Sequence, residues 1–186
     1  RRSTGVRVIN LPADNSDTIV GLKGVQDKQE VLLITSKGQA IRFNSDDVRA
    51  MGRASYGVKG IELGKTDKVV SLEALPLDGE TSILTVAEKG FGKRTALGDY
   101  RKTARGGKGV INLKTSSKTG NIIKSLSVDN KDSVIATTTK GMVIRTGMKD
   151  LRVMGRATQG VKVVKIKDGD KVADLVKVAR DDKEED

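Results

Sequence analysis

The feature that most constrains this chain is an internal repeat of 51 or 52 residues. Two dipeptides mark the repeat, and their first residues are Lys37, Lys89 and Lys140 for Lys-Gly, and Gly57, Gly109 and Gly160 for Gly-Val. A fixed period of this length is typical of proteins that stack one supersecondary unit on the next. We therefore divide the chain into three full repeats, 27–77, 78–128 and 129–180, which follow a partial repeat, 1–26, that supplies only a second half.

Each full repeat is predicted to form four short β-strands. In the first, β-prone runs at 31–35 and 39–43 flank Ser36-Lys37-Gly38, where glycine permits the tight turn of a hairpin. A third strand is expected at 58–63 and a fourth at 68–75, and Ser45-Asp46-Asp47 in the intervening connector is typical of a single capped helical turn. Four strands per repeat indicate a propeller-like blade, so the fold class is all-β. The corresponding strands are expected at 82–87, 92–95, 110–113 and 122–128, and at 133–138, 142–146, 161–166 and 172–178.

The composition excludes several classes of function. The 186 residues include no Cys, no His and no Trp, and only 2% of them are aromatic. Zinc fingers, thiol nucleophiles and histidine-based catalysis are therefore excluded. A hydrolase built on a propeller is disfavoured, because the chain lacks His, Cys and repeated pairs of carboxylates. We predict no catalytic, cofactor-binding or metal-binding residue. The few aromatic residues cannot form a row of stacking platforms for single-stranded nucleic acid, and Tyr56 and Tyr100 are expected to pack in the interior.

The charge of the chain is strongly positive and uneven. The formal net charge is +11, but the last six residues, 181–186, hold five acids and one base, so residues 1–180 carry +15. A basic body with a short acidic tail is typical of nucleic-acid-binding proteins that carry a competing polyanion. A solvated, disordered end that aids solubility explains the tail equally well.

Much of the positive charge recurs with the repeat. A structural origin stays open, because a repeated arginine can cap a helical turn or pair with an acid of the neighbouring blade. We call a position that recurs in every repeat a column. We predict phosphate contacts, because columns of Arg and Lys without columns of aromatic or amide residues suit the phosphate backbone of a nucleic acid rather than the edges of its bases. The segment 101–109 is the densest, with four bases and three glycines. The predicted DNA-binding residues are Arg42, Arg94 and Arg145; Arg53, Arg105 and Arg156; Arg49, Arg101 and Arg152; the turn lysines Lys37, Lys89 and Lys140; and Lys102 and Lys108. A propeller-like scaffold for an acidic protein partner is the alternative.

Two motifs connect these columns with a known family. Ile41-Arg42-Phe43 and Val48-Arg49-x-Met51-Gly52-Arg53-x3-Gly57-Val58 resemble the repeat of the DNA gyrase A C-terminal domain. Residues 143–145 and 151–161 repeat these motifs closely, whereas the middle copy, 100–109, departs from Met-Gly-Arg. The resemblance covers essentially the whole chain. The related subunit of topoisomerase IV has a similar domain, so both remain open.

The resemblance implies a β-pinwheel, in which propeller-like blades are joined by strand exchange and duplex DNA wraps around a basic outer rim. It also implies an accessory, non-catalytic domain of an ATP-dependent type II topoisomerase in the bacterial cytoplasm, associated with the nucleoid. The partners would be duplex DNA, the rest of gyrase A, and gyrase B, with no membrane. No cofactor is expected in this domain, since ATP and Mg²⁺ would act elsewhere in the enzyme.

Two observations lead us to expect a fragment of a longer protein. Members of the family usually have more blades than the three and a half counted here, and the chain begins with Arg1 rather than Met. The nearest match to the family's Gln-(Lys/Arg)-Arg-Gly-Gly-(Lys/Arg)-Gly box is 103–109, which differs at two of seven positions and lies in an internal repeat. We therefore interpret it as a later, box-like loop rather than the box of the first blade.

Overall fold

The computed structural model describes residues 4–14, 16–77 and 81–178, and their regular structure is almost entirely β. Within these residues helix is limited to two 3₁₀ turns, Ser45–Asp47 and Leu97–Asp99, and no helix is long and apolar enough to cross a membrane. The predicted acidic tail, 181–186, lies outside the described residues. The strands are β1 (Glu30–Thr35), β2 (Gln39–Asn44), β3 (Val69–Ala74), β4 (Ser82–Ala87), β5 (Phe91–Ala96), β6 (Val110–Ile111), β7 (Ile122–Val128), β8 (Ser133–Thr138), β9 (Val143–Gly147), β10 (Val161–Lys162) and β11 (Val172–Lys177).

The strands form three antiparallel sheets, and two of these take their last strand from the next repeat. The orders are β3-β1-β2-β6 in the first blade, β7-β4-β5-β10 in the second and β11-β8-β9 in the third. β6 belongs to the second repeat but pairs with β2 of the first, and β10 of the third repeat pairs with β5 of the second. The strand exchange implied by the pinwheel resemblance is confirmed. Main-chain hydrogen bonds therefore tie each blade to the next.

The hairpins match the sequence prediction to within a residue or two, but the third strand does not. No strand forms at 58–63, and the strands predicted at 110–113 and 161–166 shorten to β6 and β10. In the described parts of the chain, β6 and β10 each pair with the second strand of the preceding blade, and residues 4–14 and 16–26 form no strand that could pair with 58–63. After β6 the ladder of strand pairing ends, because the N–H groups of Asn112 and Leu113 both donate to the same acceptor, the Gly38 carbonyl oxygen, at 2.7 and 3.3 Å.

Two of the three clusters of buried hydrophobic residues lie between blades, and the third, formed by Val31, Ile41, Phe43 and Ile61, lies within the first repeat. Aliphatic side chains dominate these clusters, and each fully buried Leu or Ile contributes roughly 2 kcal/mol. Tyr100 packs there as predicted, with its hydroxyl 2.5 Å from Asn112 Oδ1, but Tyr56 is 73% exposed, so the packing prediction is wrong for it. One cluster joins the first and second blades through Leu32, Ile34, Ala40, Leu75, Ile83, Tyr100, Leu113 and Ile122, and another joins the second and third through Leu84, Val86, Leu126, Val128, Val134, Ala136, Met148, Val164, Val172 and Leu175.

Two glycines of the repeated Gly-Val pair show why the blades can approach so closely. Gly109 and Gly160 have φ of 74° and 75°, a region that L side chains rarely adopt. A Cβ atom at Gly109 would lie 2.2 Å from the Ala40 carbonyl oxygen, and one at Gly160 would lie 2.2 Å from that of Gly92. These glycines are therefore required by the backbone where an exchanged strand begins against its neighbour.

Candidate nucleic-acid interface

The segments that follow the second strands lie at one edge of the sheets, opposite the fourth strands. The fourth strands β3, β7 and β11 contact one another in sequence, so the blades converge on that side. We name the segments at the opposite, outer edge connector 1 (48–57), connector 2 (100–109) and connector 3 (151–160). Connectors 2 and 3 each reach back from one blade to the second strand of the blade before it.

Repeated main-chain hydrogen bonds hold the connectors in equivalent positions. Three bonds have the same form, with donor and acceptor pairs Asn10 N to Ser55 O at 3.1 Å, Glu62 N to Gly107 O at 2.9 Å, and Lys114 N to Thr158 O at 3.0 Å. A second pair attaches connectors to second strands, with Thr103 N to Arg42 O at 2.9 Å and Met154 N to Arg94 O at 2.8 Å. The connectors therefore succeed one another along the outer edge with the same local geometry.

The connectors expose positive charge that the protein does not neutralise. Five of the predicted DNA-binding residues are exposed there, and within the described ranges their side chains form no hydrogen bond or ion pair. Because no hydrogen bond or ion pair engages these side chains, their charges are available to an anionic ligand. These residues are Arg49, Arg53, Arg101, Lys108 and Arg152.

Arg94 lies inside the junction between the second and third blades and is only 3% exposed. Its Nη1 donates to the carbonyl oxygens of Met148 at 2.5 Å and Leu151 at 3.3 Å, at the start of connector 3. Its Nε donates to Ser82 Oγ at 3.0 Å, and Nη1 also reaches Asn130 Oδ1 at 3.0 Å. This burial leaves Arg94 out of reach of a phosphate, and it caps a turn of the next blade instead.

Arg42 makes the equivalent contact one blade earlier. Its Nη1 donates to the Leu97 and Tyr100 carbonyl oxygens at 3.0 and 3.1 Å, which cap the 3₁₀ turn of the second blade. Its Nη2 lies 2.5 Å from Glu30 Oε2, and Lys102 Nζ lies 3.2 Å from Glu30 Oε1. Burial acts to raise the pKa of Glu30, but the hydrogen bonds and charges of Arg42 and Lys102 outweigh it and hold that pKa below its ordinary value. Arg42 and Lys102 are thus partly used inside the protein.

The remaining arginines of the columns divide between the two roles. Arg145 is exposed, and its Nε donates to Ser133 Oγ at 3.0 Å. Arg105 donates from Nε to Asp47 O at 2.9 Å and from Nη1 to Lys59 O at 3.0 Å, and Arg156 donates from Nη1 to Ile111 O at 2.8 Å. The last two contacts are equivalent in the repeat, and they fix the connectors to the preceding blade while the side chains stay partly exposed.

Comparison with known proteins decides the family. The model of the family described as "DNA gyrase C-terminal domain, beta-propeller" matches residues 1–26, 29–76, 81–129 and 132–179. The chain belongs to the DNA gyrase C-terminal domain family. The DNA gyrase A protein of Deinococcus deserti is 44% identical over 183 residues, which are 97% of this chain and 22% of that protein. This gyrase-family chain spans about a fifth of the length of the curated relatives that it matches.

Solved structures agree with this assignment. A structure of the DNA gyrase A C-terminal domain superposes with a TM-score of 0.82 at 26% identity, and covers 95% of this chain and 59% of that one. The C-terminal domain of DNA topoisomerase IV gives a TM-score of 0.75 at 25% identity, with 81% of this chain and 46% of that one covered. The chain is thus a β-pinwheel domain of the gyrase A type.

One buried residue of this gyrase-family domain was missed by the sequence reasoning. Lys93 in β5 is fully buried, and its Nζ donates to Gly155 O at 2.7 Å, to Arg156 O and to Thr158 Oγ1 at 3.2 Å. Burial, and then the charge of Arg156, lowers its pKa from 10.5 to about 8. The equivalent residues are Ile41 and Ile144, so no repeated basic column pointed to it. Lys93 holds connector 3 on the second blade.

We expect Lys93 to make stability depend on pH above neutrality. Between about pH 8 and 10.5 the unfolded chain binds the Lys93 proton more tightly than the folded one, so this contribution to stability rises with pH across that window. The free energy of unfolding of the wild type and of Lys93→Met is measured in urea at about pH 7.5 and about pH 9.5. The wild-type value minus the Lys93→Met value should be larger at the higher pH. Lys131→Met, at an exposed site, should show no such shift. A Lys93 difference that is the same at both pH values would contradict the prediction.

The turn lysines Lys37, Lys89 and Lys140 lie apart from the connector arginines. They are exposed in the β1–β2, β4–β5 and β8–β9 turns. The exchanged strands β6 and β10 run from the connectors towards this side of the blades. The N–H groups of Lys37 and Lys140 donate to Asp67 Oδ1 at 2.9 Å and Asp170 Oδ1 at 3.1 Å, which orders two of these turns. The structure therefore separates the predicted residues into an outer edge and a flank.

Proposed function

We propose that this domain binds, bends and wraps duplex DNA along its connector edge, as the accessory, non-catalytic domain of a type II topoisomerase. The observation that carries the proposal is the row of exposed, unpaired cations on successive connectors, at Arg49, Arg53, Arg101, Lys108 and Arg152. Arg49, Arg101 and Arg152 hold the same position on successive blades. Charges repeated in this way match a ligand that is itself periodic and anionic, and the phosphate backbone of duplex DNA is such a ligand.

Backbone contact also explains what the connector edge lacks. Base recognition needs amide or bidentate groups placed against groove edges. An arginine can make such a contact, but the one amide side chain of the three connectors, Gln159, has no counterpart in the other two, so the connectors present no repeated amide position. Bending 20–30 base pairs by 40–90° costs about 1–6 kcal/mol, which several phosphate contacts spread along a curved edge can offset. The domain would thus present bent DNA to the cleavage core of gyrase A, working with gyrase B, in the bacterial cytoplasm at the nucleoid.

The structure changes the expected salt dependence. Nine column arginines all contacting phosphates would give a slope of log K against log salt of roughly −8. With Arg94 and Arg42 inside blade junctions, about five to seven arginines remain, and the expected slope is about −5 to −6.

Filter binding of the chain to random-sequence duplexes of about 20 and about 60 base pairs, from about 50 to about 200 mM salt, tests the proposal. We expect a steep slope of log K against log salt on both duplexes. The longer duplex should bind more tightly, by more than its larger number of binding positions accounts for. The chain should also change the linking number of closed circular DNA that is relaxed in its presence. A slope near zero, or equal binding to a poly-glutamate chain, would instead favour a scaffold for an acidic protein partner.

A further inference from the structure

Six lysines lie near one another on the flank of the second and third blades, and two of them lie over the ring of Phe91. Lys118 Nζ and Lys162 Nζ lie 5.2 and 5.0 Å from the centre of the Phe91 ring. Lys162 also lines a recess of about 360 Å³ together with Lys89, Lys167 and Lys171. We call Lys89, Lys118, Lys140, Lys162, Lys167 and Lys171 the Phe91 lysine cluster.

Neutral backbone groups hold three of these ammonium groups in place. Lys89 Nζ donates to Ser117 O at 2.6 Å, Lys162 Nζ donates to Lys89 O at 3.1 Å, and Lys140 Nζ reaches Asp168 O at 3.4 Å. A carbonyl oxygen orients an ammonium group but leaves its unit charge uncancelled. The positive charge is therefore both fixed in position and available to an external anion.

The acids in the neighbourhood do not balance the cluster. Glu88 lies 4.0 Å from Lys171 Nζ, and Asp168 and Asp170 line the recess. Asp170 is used by its own loop, since Oδ1 accepts from Thr139 Oγ1 at 2.9 Å and from the Lys171 N–H at 2.8 Å. Six lysines against three acids leave a positive excess on this flank.

The repeat accounts for only two of the six lysines in this cluster. Residues that every blade needs recur in every blade, because each repeat packs in the same way on its neighbours. At the preceding junction the position of Phe91 is held by Gln39 and that of Lys162 by Ile111, and Ser116 takes the place of Lys167. Lys89 and Lys140 belong to the repeated turn lysines, but the other four lysines have no basic counterpart at the preceding junction, where Thr66 and Gly120 also replace Lys118 and Lys171. Basic residues added at one junction beyond what the repeat supplies point to a ligand rather than to the fold.

We propose that the Phe91 lysine cluster is a second phosphate-binding surface, which takes duplex DNA as it leaves connector 3 and draws it onto the flank of the second and third blades. Lys162 lies in β10, directly after connector 3, so the cluster continues the outer edge that carries Arg152. Two ammonium groups already lie over the Phe91 ring, so that ring is not free to stack on an unpaired base. Lysine contacts phosphate as a compact point charge, without base selectivity.

This inference rests on the proposed function, and a duplex-length comparison separates the two. The cluster variant carries Lys118→Gln, Lys162→Gln and Lys167→Gln. Its charge-matched control carries Lys65→Gln, Lys68→Gln and Lys131→Gln, at exposed sites outside both the connectors and the cluster. Affinity and salt slope are measured on duplexes of about 20 and about 60 base pairs.

We expect the cluster variant to bind the short duplex like the wild type, because the connectors alone can hold it. On the long duplex its affinity should fall at least about tenfold, and the slope of log K against log salt should become shallower by about 2–3, while the control stays unchanged. Equal behaviour of the cluster variant and the wild type on the long duplex would overturn this inference and leave the proposed function standing. Failure of the wild type to bind either duplex would overturn both.

Discussion

Replacing Arg94 by Met is expected to lower the free energy of unfolding by about 3–5 kcal/mol. Arg94 is 3% exposed, and its guanidinium group donates to four acceptors, including the Met148 and Leu151 carbonyl oxygens of the next blade. Removal leaves those acceptors buried without a donor, and an unsatisfied buried acceptor costs about 1–3 kcal/mol. The acids Asp129 and Asp132, whose charges act on Arg94, also lose a neighbouring cation.

Arg145→Met is the matched control, because Arg145 occupies the same column in the third blade. It makes the same bond from Nε, to Ser133 Oγ at 3.0 Å, but it is exposed. Its replacement should change stability by no more than about 0.5 kcal/mol. Urea unfolding followed by circular dichroism measures both variants. Equal losses for the two arginines would show that the junction contacts of Arg94 contribute little.

The difference between Arg94 and Arg145 also shows what a repeat in the sequence can and cannot predict. Recurrence every 51 or 52 residues identified the blades and their hairpins, since turn glycines and β-prone runs act locally. It could not tell an inward arginine from an outward one. That depends on which carbonyl oxygens of another repeat lie beside the side chain, as those of Met148 and Leu151 do for Arg94, and the local sequence does not show this.

The partner of the arginine column was missed for a similar reason. Arg42, Arg94 and Arg145 donate from Nε to the side chains of Glu30, Ser82 and Ser133, each twelve residues earlier and on the adjacent strand. Glutamate and serine are both acceptors, so the geometry is conserved among the blades while the residue type changes. The acceptor therefore does not recur as an acidic residue in the sequence. No strand forms at 58–63 because strand pairing requires a neighbouring strand, and residues 4–14 and 16–26 form none.

Neutralising the connector arginines is expected to have the largest effect on DNA binding. A variant with Arg49→Gln, Arg53→Gln, Arg101→Gln and Arg152→Gln removes four exposed charges that form no bonds within the described part of the protein. Each phosphate contact contributes about −0.9 to the slope of log K against log salt, so the slope should become shallower by about 3–4. Affinity near 0.1 M salt should fall roughly 100- to 1,000-fold.

The loss should be the same on A·T-rich and G·C-rich duplexes, because phosphate contacts carry no sequence information. Stability should stay close to that of the wild type, since exposed side chains without partners are replaced. The control with Lys28→Gln, Lys65→Gln, Lys68→Gln and Lys131→Gln removes the same charge from exposed sites outside the connectors. If net charge alone governed binding, the two variants would weaken it equally. A loss confined to the connector variant therefore requires the duplex to follow the row of connectors, and an unchanged slope in that variant would rule out the connector edge as the binding surface.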